Sequence, residues 1–576
     1  MPRQLKVCIG QCSEAGRKQA NQDFYGAIIP RQPLLGSKGV AIALADGISS
    51  SMVSRLASEA AIKTFLEDYY CTSDTWSVKT SAQRVIAATN SWLYAQTRRS
   101  AGRYDKDKGY VCTLSVVVIK STTAHIFHIG DARVYRVNGS GLEQLTIDHR
   151  VALAPDESYL GRALGVNAQV EIDYHGIAVA PGDVLVLATD GAYDHVAERF
   201  VSDAIRNHAD DLDGAARAIV AEAHRNGSPD NLTVQIVRVD DVPDGDTEDV
   251  LGDLHALAPA PLLEAGTVFE GYRILRELHA SSRSHVYLAA DIETERLVAI
   301  KVPSVDLRDD AAYLKQFMLE EWVLRRVNSP HLLKLAGRKQ KPGQLYIAAE
   351  FVEGQSLRQW MIDNPKPDLE TVRRIVEQIA RGLQALHRME MLHQDLRPEN
   401  IMIEKTGMVK IIDFGSVYIA GVTEASPDAG ESIRGTLQYT APEYFLGEGG
   451  STRSDLFSLG VIAYQLLTGR LPYDAQVTRL RNRSQQNRLR YRTVLHEDRD
   501  IPVWFDLALK RAVHLDPDKR YEELSEFMFD LRHPNPAYVG SGHRPLMERD
   551  PLLFWKIISG VLALTALALL VRVLVH

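Results

Sequence analysis

Val40-Ala41-Ile42-Ala43-Leu44-Ala45-Asp46-Gly47 is an unbroken apolar run that ends on a carboxylate and a glycine. It reads as a strand, and the same construction recurs. His125 to Gly130 leads into Asp131, and Val184 to Thr189 leads into Asp190-Gly191. Asp23 follows Asn21-Gln22, while Asp230-Asn231 comes immediately before the strand-like run Leu232 to Val239. Taken alone, an Asp-Gly pair is usually a turn. Carboxylates repeated at strand ends are different, because they lie at a sheet's edge where a rigid scaffold can converge them on hard cations such as Mg²⁺ or Mn²⁺. Two such ions about 3.5 to 4 Å apart can share a water, lower its pKa and direct hydroxide at phosphorus in line, with no serine or cysteine nucleophile needed.

Around these runs, helical periodicity fits Ser51 to Tyr69, Ser81 to Arg98 and Gly214 to His224, so the N-terminal block is expected to stack sheets flanked by helices. The ordered stretches GRKQANQD (16–23), ALADG (43–47), CTLSVVVI (112–119), HIGDARVYR (128–136), PGDVLVLATDG (181–191) and SPDNLTV (228–234) resemble the metal-dependent protein phosphatase family, PPM or type 2C. The resemblance covers about residues 6 to 240. It implies a β-sandwich flanked by helices, with Asp46 bridging two Mg²⁺ or Mn²⁺ ions. Asp23, the Gly47 carbonyl, Asp190 and Asp230 would complete the metal shells, and Asp131 would serve a third ion. Where the family often carries an arginine for the substrate phosphate, this chain has Lys18, with Arg17 beside it. Lysine offers a point charge in place of a bidentate fork. Ile48 stands where many relatives carry histidine.

The second block begins with strand-like runs around Tyr272 to Ala289 and Leu297 to Val302 and turns mostly helical after Leu357, which implies a small β-rich lobe followed by a larger helical one. Phosphoryl transfer from ATP needs a cation on the phosphates, a carboxylate and an amide for Mg²⁺, and a carboxylate near the incoming hydroxyl. Val298-Ala299-Ile300-Lys301, Glu320, His393-Gln394-Asp395-Leu396-Arg397-Pro398-Glu399-Asn400, Asp413-Phe414-Gly415 and Ala441-Pro442-Glu443 provide them in order. This series resembles the Hanks-type Ser/Thr protein kinases over about residues 268 to 533. By that resemblance Lys301, paired with Glu320, would hold ATP phosphates. Asp395 would orient the substrate hydroxyl, and Asn400 and Asp413 would hold Mg²⁺. The usual glycine positions of the phosphate-covering loop hold His279, Ser281 and Ser284, so Ser281 and Ser284 are the candidates there for contact with the nucleotide. Gln394 replaces the arginine that commonly grips an activation-loop phosphate; Thr423, Ser432 and Thr436 lie in that segment.

Between the two blocks, residues 241–266 are acidic and punctuated by proline, without Lys or Arg, and read as a linker. The expected organisation is phosphatase 1–240, linker 241–266, kinase 267–533, juxtamembrane linker 534–551 and a transmembrane helix 552–575. That last stretch is almost wholly apolar between Lys556 and Arg572, long enough at 1.5 Å per residue to span a bilayer if both cations reach the headgroups. A single-pass anchor in the inner membrane, with the catalytic domains cytoplasmic, is therefore expected. A net charge of −8 disfavours nucleic-acid binding. The four cysteines, Cys8, Cys12, Cys71 and Cys112, lack zinc-site spacing. The fold class expected is multidomain α+β, and the function a bifunctional enzyme acting on Ser/Thr of protein substrates with ATP, Mg²⁺ and Mn²⁺, its own phosphorylated residues among the substrates. The alternative is an active phosphatase whose kinase-like domain only binds or regulates.

Overall fold

The computed structural model describes residues 3–154, 157–243, 257–307, 310–337, 342–424, 438–479, 482–486, 488–496, 500–535, 554–559, 562–563 and 565. The N-terminal block contains two five-stranded antiparallel sheets. One runs in the order Lys6–Glu14, Leu232–Asp241, Val184–Ala188, Arg133–Asn138, Gly141–Gln144, and the other Asp173–Ala178, Thr123–Ile129, Leu114–Lys120, Val40–Ala45, Phe24–Ile28. The run from Val40 to Ala45 is apolar throughout because both of its faces are covered. Val40, Ile42 and Leu44 point between the sheets and meet Leu185, Leu187, Val237 and Val239. Ala41, Ala43 and Ala45 point outward onto helices Ser54–Cys71 and Val78–Arg99, where Ala57, Ala61, Phe65, Val85 and Ile86 pack. Small side chains on that face let the helices lie close to the strand. Helices Glu198–Asn207 and Leu212–Arg225 cover the outer face of the other sheet. The layers are therefore helix, sheet, sheet, helix, and the strand ends bearing Asp46, Asp131 and Asp190 come to one edge.

The second block has a five-stranded antiparallel sheet, Val268–Phe269, Tyr272–Ala280, Ser284–Asp291, Leu297–Pro303 and Ile347–Glu350, with one long helix, Ala311–Arg326. Its larger lobe is built on helix Leu369–His387, whose Val372, Ile375, Val376, Ile379, Leu383 and Leu386 are buried at the three-and-four spacing of an amphipathic helix. Asp368 caps it by accepting the Thr371 amide at 2.8 Å. Thr452–Thr468, Val503–Ala512 and Leu524–Arg532 complete that core through Phe457, Phe505 and Phe527. Of the acidic stretch 241–266, residues 244–256 lie outside those described, and Ala258–Pro259 runs parallel to Gln344–Leu345.

The C-terminal expectation is overturned. Among the described residues no helix is long and apolar enough to cross a membrane. Within 552–575 the described helical residues begin with 554–559, which include Lys556. The other described helical residues of that stretch are 562–563 and 565, and the remainder lies outside the described residues. The membrane-spanning helix has no support in the structure, and neither has the single-pass anchor that would place the catalytic domains beside an inner membrane.

One ion pair braces the larger lobe. Arg520, with a side-chain exposure of 0%, meets Glu443, at 3%, through two parallel bonds of 2.8 Å each. Breaking a buried pair leaves an uncompensated charge, which costs about 3–5 kcal/mol. Arg520→Ala should accordingly lower the unfolding midpoint of this lobe strongly in urea, followed by tryptophan fluorescence from Trp504 and Trp360, while Arg206→Ala on the exposed end of helix Glu198–Asn207 should leave it in place.

Candidate functional site

The five aspartates of the N-terminal block approach one another at the sheet edge. Asp23 stands just before strand Phe24–Ile28. Its Oδ2 accepts hydrogen bonds from Thr189 Oγ1 at 3.0 Å and Thr233 Oγ1 at 2.6 Å. Its Oδ1 is buried with no hydroxyl or amide against it, and its neighbour is the Asp46 carboxyl. Burial pushes Asp23 up to about 6, against the pull of the two threonine hydroxyls. Asp46 is driven well above the ordinary carboxylate range, first by burial and then by the charges of Asp23, Asp190 and Asp131. Asp190, the first residue of the short helix Asp190–Tyr193, is raised to about 6 by burial, Asp131 and Asp230, with Arg150 opposing. Gly47 has no room for a side chain, since a Cβ would fall 2.8 Å from the Gln22 carbonyl oxygen.

Cations of the chain itself stand among these acids. Lys18 pairs with Asp230 at 2.8 Å and bonds Ser49. Arg150 spans Asp131 at 2.8 Å and Asp190 at 2.9 Å. Arg17 is exposed, near Gly227. Among the described residues no three acidic, histidine or cysteine side chains form a ready-made metal cage. The donor set nevertheless fits divalent cations. It is all oxygen, it gathers more carboxylates than Lys18 and Arg150 can pair, and burial first and neighbouring carboxylates second raise Asp23, Asp46 and Asp190.

In the second block, Lys301 projects from strand Leu297–Pro303 and reaches Glu320 of helix Ala311–Arg326 at 2.8 and 2.7 Å and Asp413 at 3.3 Å. Burial works against the Lys301 ammonium, but the Asp413 and Glu320 carboxylates outweigh it and hold its pKa above the ordinary lysine value. Asp413 is lowered despite its burial, chiefly by Lys301. Asn400 donates to the Asp395 carbonyl at 2.9 Å and to Asp395 Oδ2 at 3.1 Å, which fixes the carboxylate's orientation. The loop is pinned from below by Asp455, whose carboxylate accepts the amides of His393 at 2.9 Å and Gln394 at 3.1 Å. Ser281 is engaged inside its own turn. Its hydroxyl donates to the Ser284 carbonyl at 3.1 Å and accepts the Ser284 amide at 3.1 Å. Ser284 begins the next strand and is buried. Ser432 and Thr436 lie outside the described residues.

Comparison with known proteins agrees with both geometries. A family model described as protein kinase domain matches residues 272–537, and one described as protein phosphatase 2C matches residues 12–230. The serine/threonine-protein kinase PknL of Mycobacterium bovis is 30% identical over 271 residues, covering 47% of this chain and 67% of that protein. The chain belongs to the serine/threonine-protein kinase family and carries a protein phosphatase 2C domain ahead of its kinase domain. Other relatives match over less of their length: the probable serine/threonine-protein kinase PknB of Lactococcus lactis is 26% identical, and the aligned part is 43% of its length. The chain thus spans less than half of that curated relative. Among solved structures, the Mycobacterium tuberculosis PknI kinase domain aligns with 47% of this chain and 98% of its own at 27% identity and a TM-score of 0.37. The catalytic domain of the phosphatase PstP, in complex with two manganese ions, aligns with 41% of this chain and 99% of its own at 24% identity and a TM-score of 0.35.

Sequence reasoning passed over several residues of the phosphatase domain. Thr189 and Thr233, which hold Asp23, could have been found, because one precedes Asp190-Gly191 and the other lies in the run after Asp230-Asn231. Arg150 follows Asp148-His149 with no motif to mark it, and only the fold brings it between Asp131 and Asp190.

Proposed function

We propose that the chain adds phosphate to Ser/Thr of protein substrates with its kinase domain, over 267–533, and removes it with its phosphatase domain, over 1–240. The observation that carries the kinase half is the closed triangle of Lys301, Glu320 and Asp413. A lysine held by two carboxylates at the mouth of a two-lobed fold is placed to receive ATP phosphates. Asp395, oriented by the Asn400 amide, accepts a hydrogen bond from the incoming hydroxyl and aims it at the γ-phosphoryl group. Asn400 and Asp413 would hold the Mg²⁺ that accompanies ATP.

In the phosphatase half, Asp46 with Asp23, the Gly47 carbonyl, Asp190 and Asp230 would hold two Mg²⁺ or Mn²⁺ ions, and Asp131 a third. Those ions, when bound, supply Lewis acidity and a water of lowered pKa. The chain's own part is to orient and to attract. Thr189 and Thr233 fix the face of Asp23, and Lys18, paired with Asp230, and Arg17 beside it would attract the substrate phosphate. The kinase domain's own phosphorylated residues are candidate substrates, in cis or in trans.

A second reading, in which the kinase-like domain only binds or regulates, draws on one observation: the loop 279–284 has no glycine and the Ser281 hydroxyl is spent within it. The two readings part on phosphate transfer. With labelled ATP and a generic protein acceptor, the full chain should transfer phosphate and Lys301→Met should not; transfer that survives the substitution excludes the assignment. Asp46→Asn should raise the phosphate retained by the chain in ATP and Mn²⁺. For the metals, loss of an outer hydrogen-bond partner usually weakens affinity 10–100-fold, so Thr233→Val should raise the Mn²⁺ concentration for half-maximal hydrolysis of p-nitrophenyl phosphate by about tenfold. An unchanged Mn²⁺ requirement would remove Asp23 from the metal shell.

A further inference from the structure

The two domains grip each other at one place, and on the kinase side that place is where its catalytic parts are anchored. Asp74, just before helix Val78–Arg99 of the phosphatase domain, takes Arg326 in a forked pair at 2.7 to 3.1 Å. Arg326 ends the helix that carries Glu320 and lies flat on Trp322, 3.6 Å from its ring centre. Trp76 Nε1 donates to the Arg388 carbonyl at 3.0 Å, and the Ser77 amide donates to Glu390 at 2.7 Å. The Arg388–Glu390 turn leads directly into the loop of Asp395.

The third contact falls on the segment that follows Asp413. Strand Tyr418–Ile419 pairs with Met391–Leu392, and helix Ala420–Thr423 comes next. The Gly421 amide donates to the Thr75 carbonyl at 3.0 Å, and a Cβ on Gly421 would fall 2.7 Å from the Asp74 and Trp76 carbonyl oxygens. Glu424 accepts the Val78 amide at 3.0 Å, so Glu390 and Glu424 together satisfy the open N-terminal end of a 22-residue helix. Lys120, at the end of a phosphatase strand and 1% exposed, donates to the Gly421 carbonyl and pairs with Glu424 at 3.5 Å. A lysine so buried persists only where it is paired, and its partners belong to the other domain.

We infer that the phosphatase domain is an internal activator of the kinase domain, holding from outside the three elements that carry Glu320, Asp395 and Asp413. The surface is Asp74 to Thr80 with Lys120; its partner is the Arg326, Glu390 and Gly421–Glu424 face of the same chain. Gln394, beside Asp395, has no charge with which to hold this segment, and the cation that meets its first residues is Lys120. The contact coexists with the assembled triangle of Lys301, Glu320 and Asp413, so its effect is to favour the competent arrangement. This rests on the kinase domain transferring phosphate, as proposed above.

The test uses the full chain carrying Asp46→Asn, so that label is retained. Adding Asp74→Arg sets like charges at the Arg326 contact and should slow Lys301-dependent transfer to a protein acceptor about tenfold, within the usual span of couplings between sites. Adding Arg326→Asp to that variant reverses both charges and should restore most of the rate. Hydrogen exchange should speed up in 311–326 and 420–424 in the single variant and recover in the pair. Asp74→Arg in the otherwise unaltered chain should hydrolyse p-nitrophenyl phosphate as before, which guards against misfolding. A transfer rate for Asp74→Arg within about twofold of its parent, below the usual range of such couplings, overturns the activating role. Unchanged exchange in both segments overturns the docking. A parent chain with no Lys301-dependent transfer sinks the kinase reading and the activation together, and the exchange data still decide the docking.

Discussion

A carboxylate taken out of water must be met by positive charge or by hydrogen-bond donors, and both halves of this molecule are arranged around that demand. In the kinase domain it is met within the chain. Lys301 stands between Glu320 and Asp413, and its position ties the helix of one lobe to the loop of the other. Arg520 does the same for Glu443 deeper in the larger lobe. The phosphatase edge is the contrasting case. There Asp23, Asp46 and Asp190 stay raised first by burial and then by the neighbouring carboxylates, to which Lys18 and Arg150 supply only two cations. The first arrangement braces a structure, and the second leaves a demand for divalent cations.

How much of this was legible in the sequence follows from the range of the interactions. Strand Val40–Ala45 could be read because six apolar residues in succession can hardly be anything but buried, and Asp46 because it ends that run. The spacing of Lys301, Glu320, Asp395, Asn400 and Asp413 was readable because their separations along the chain reflect elements of fixed length. Ser281 illustrates a limit. Its place in the loop suggested contact with nucleotide, but a hydroxyl two or three residues from free amides closes a local turn first, and it does so here with the amides of Arg283 and Ser284. The C-terminal stretch shows another. Apolar composition supported a spanning helix, yet among the described residues no helix is long and apolar enough to cross a membrane.

The contact between domains left no trace that sequence reading could use. Lys120 closes an apolar strand and reads as the polar residue that ends it, while Gly421, to which it donates, lies 301 residues further on. Asp74, Arg326, Glu390 and Glu424 are each of a kind found on any solvated helix end. What makes them a surface is that two separate cores present complementary charge at the same spot, and that information exists only in three dimensions. The acidic residues 241–266 read as a linker between the blocks; the buried Lys120, bonded to Gly421 and Glu424, is a contact that linker composition does not encode.

Helix Val78–Arg99 makes this contact more than adhesive. Its first turn is held by Glu390 and Glu424 of the kinase domain, and Val78, Ala82, Val85 and Ile86 along it enter the same buried cluster as the outward alanines of the strand that ends at Asp46. One helix thus joins residues 421–424 of the kinase domain to the buried cluster on the outer face of a phosphatase sheet. A coupling free energy between two sites has no direction. If docking favours the competent kinase arrangement, then nucleotide bound in that arrangement must favour the docked helix by the same factor. Docking and the kinase arrangement then answer to one equilibrium, which two domains joined only by a flexible chain would not do.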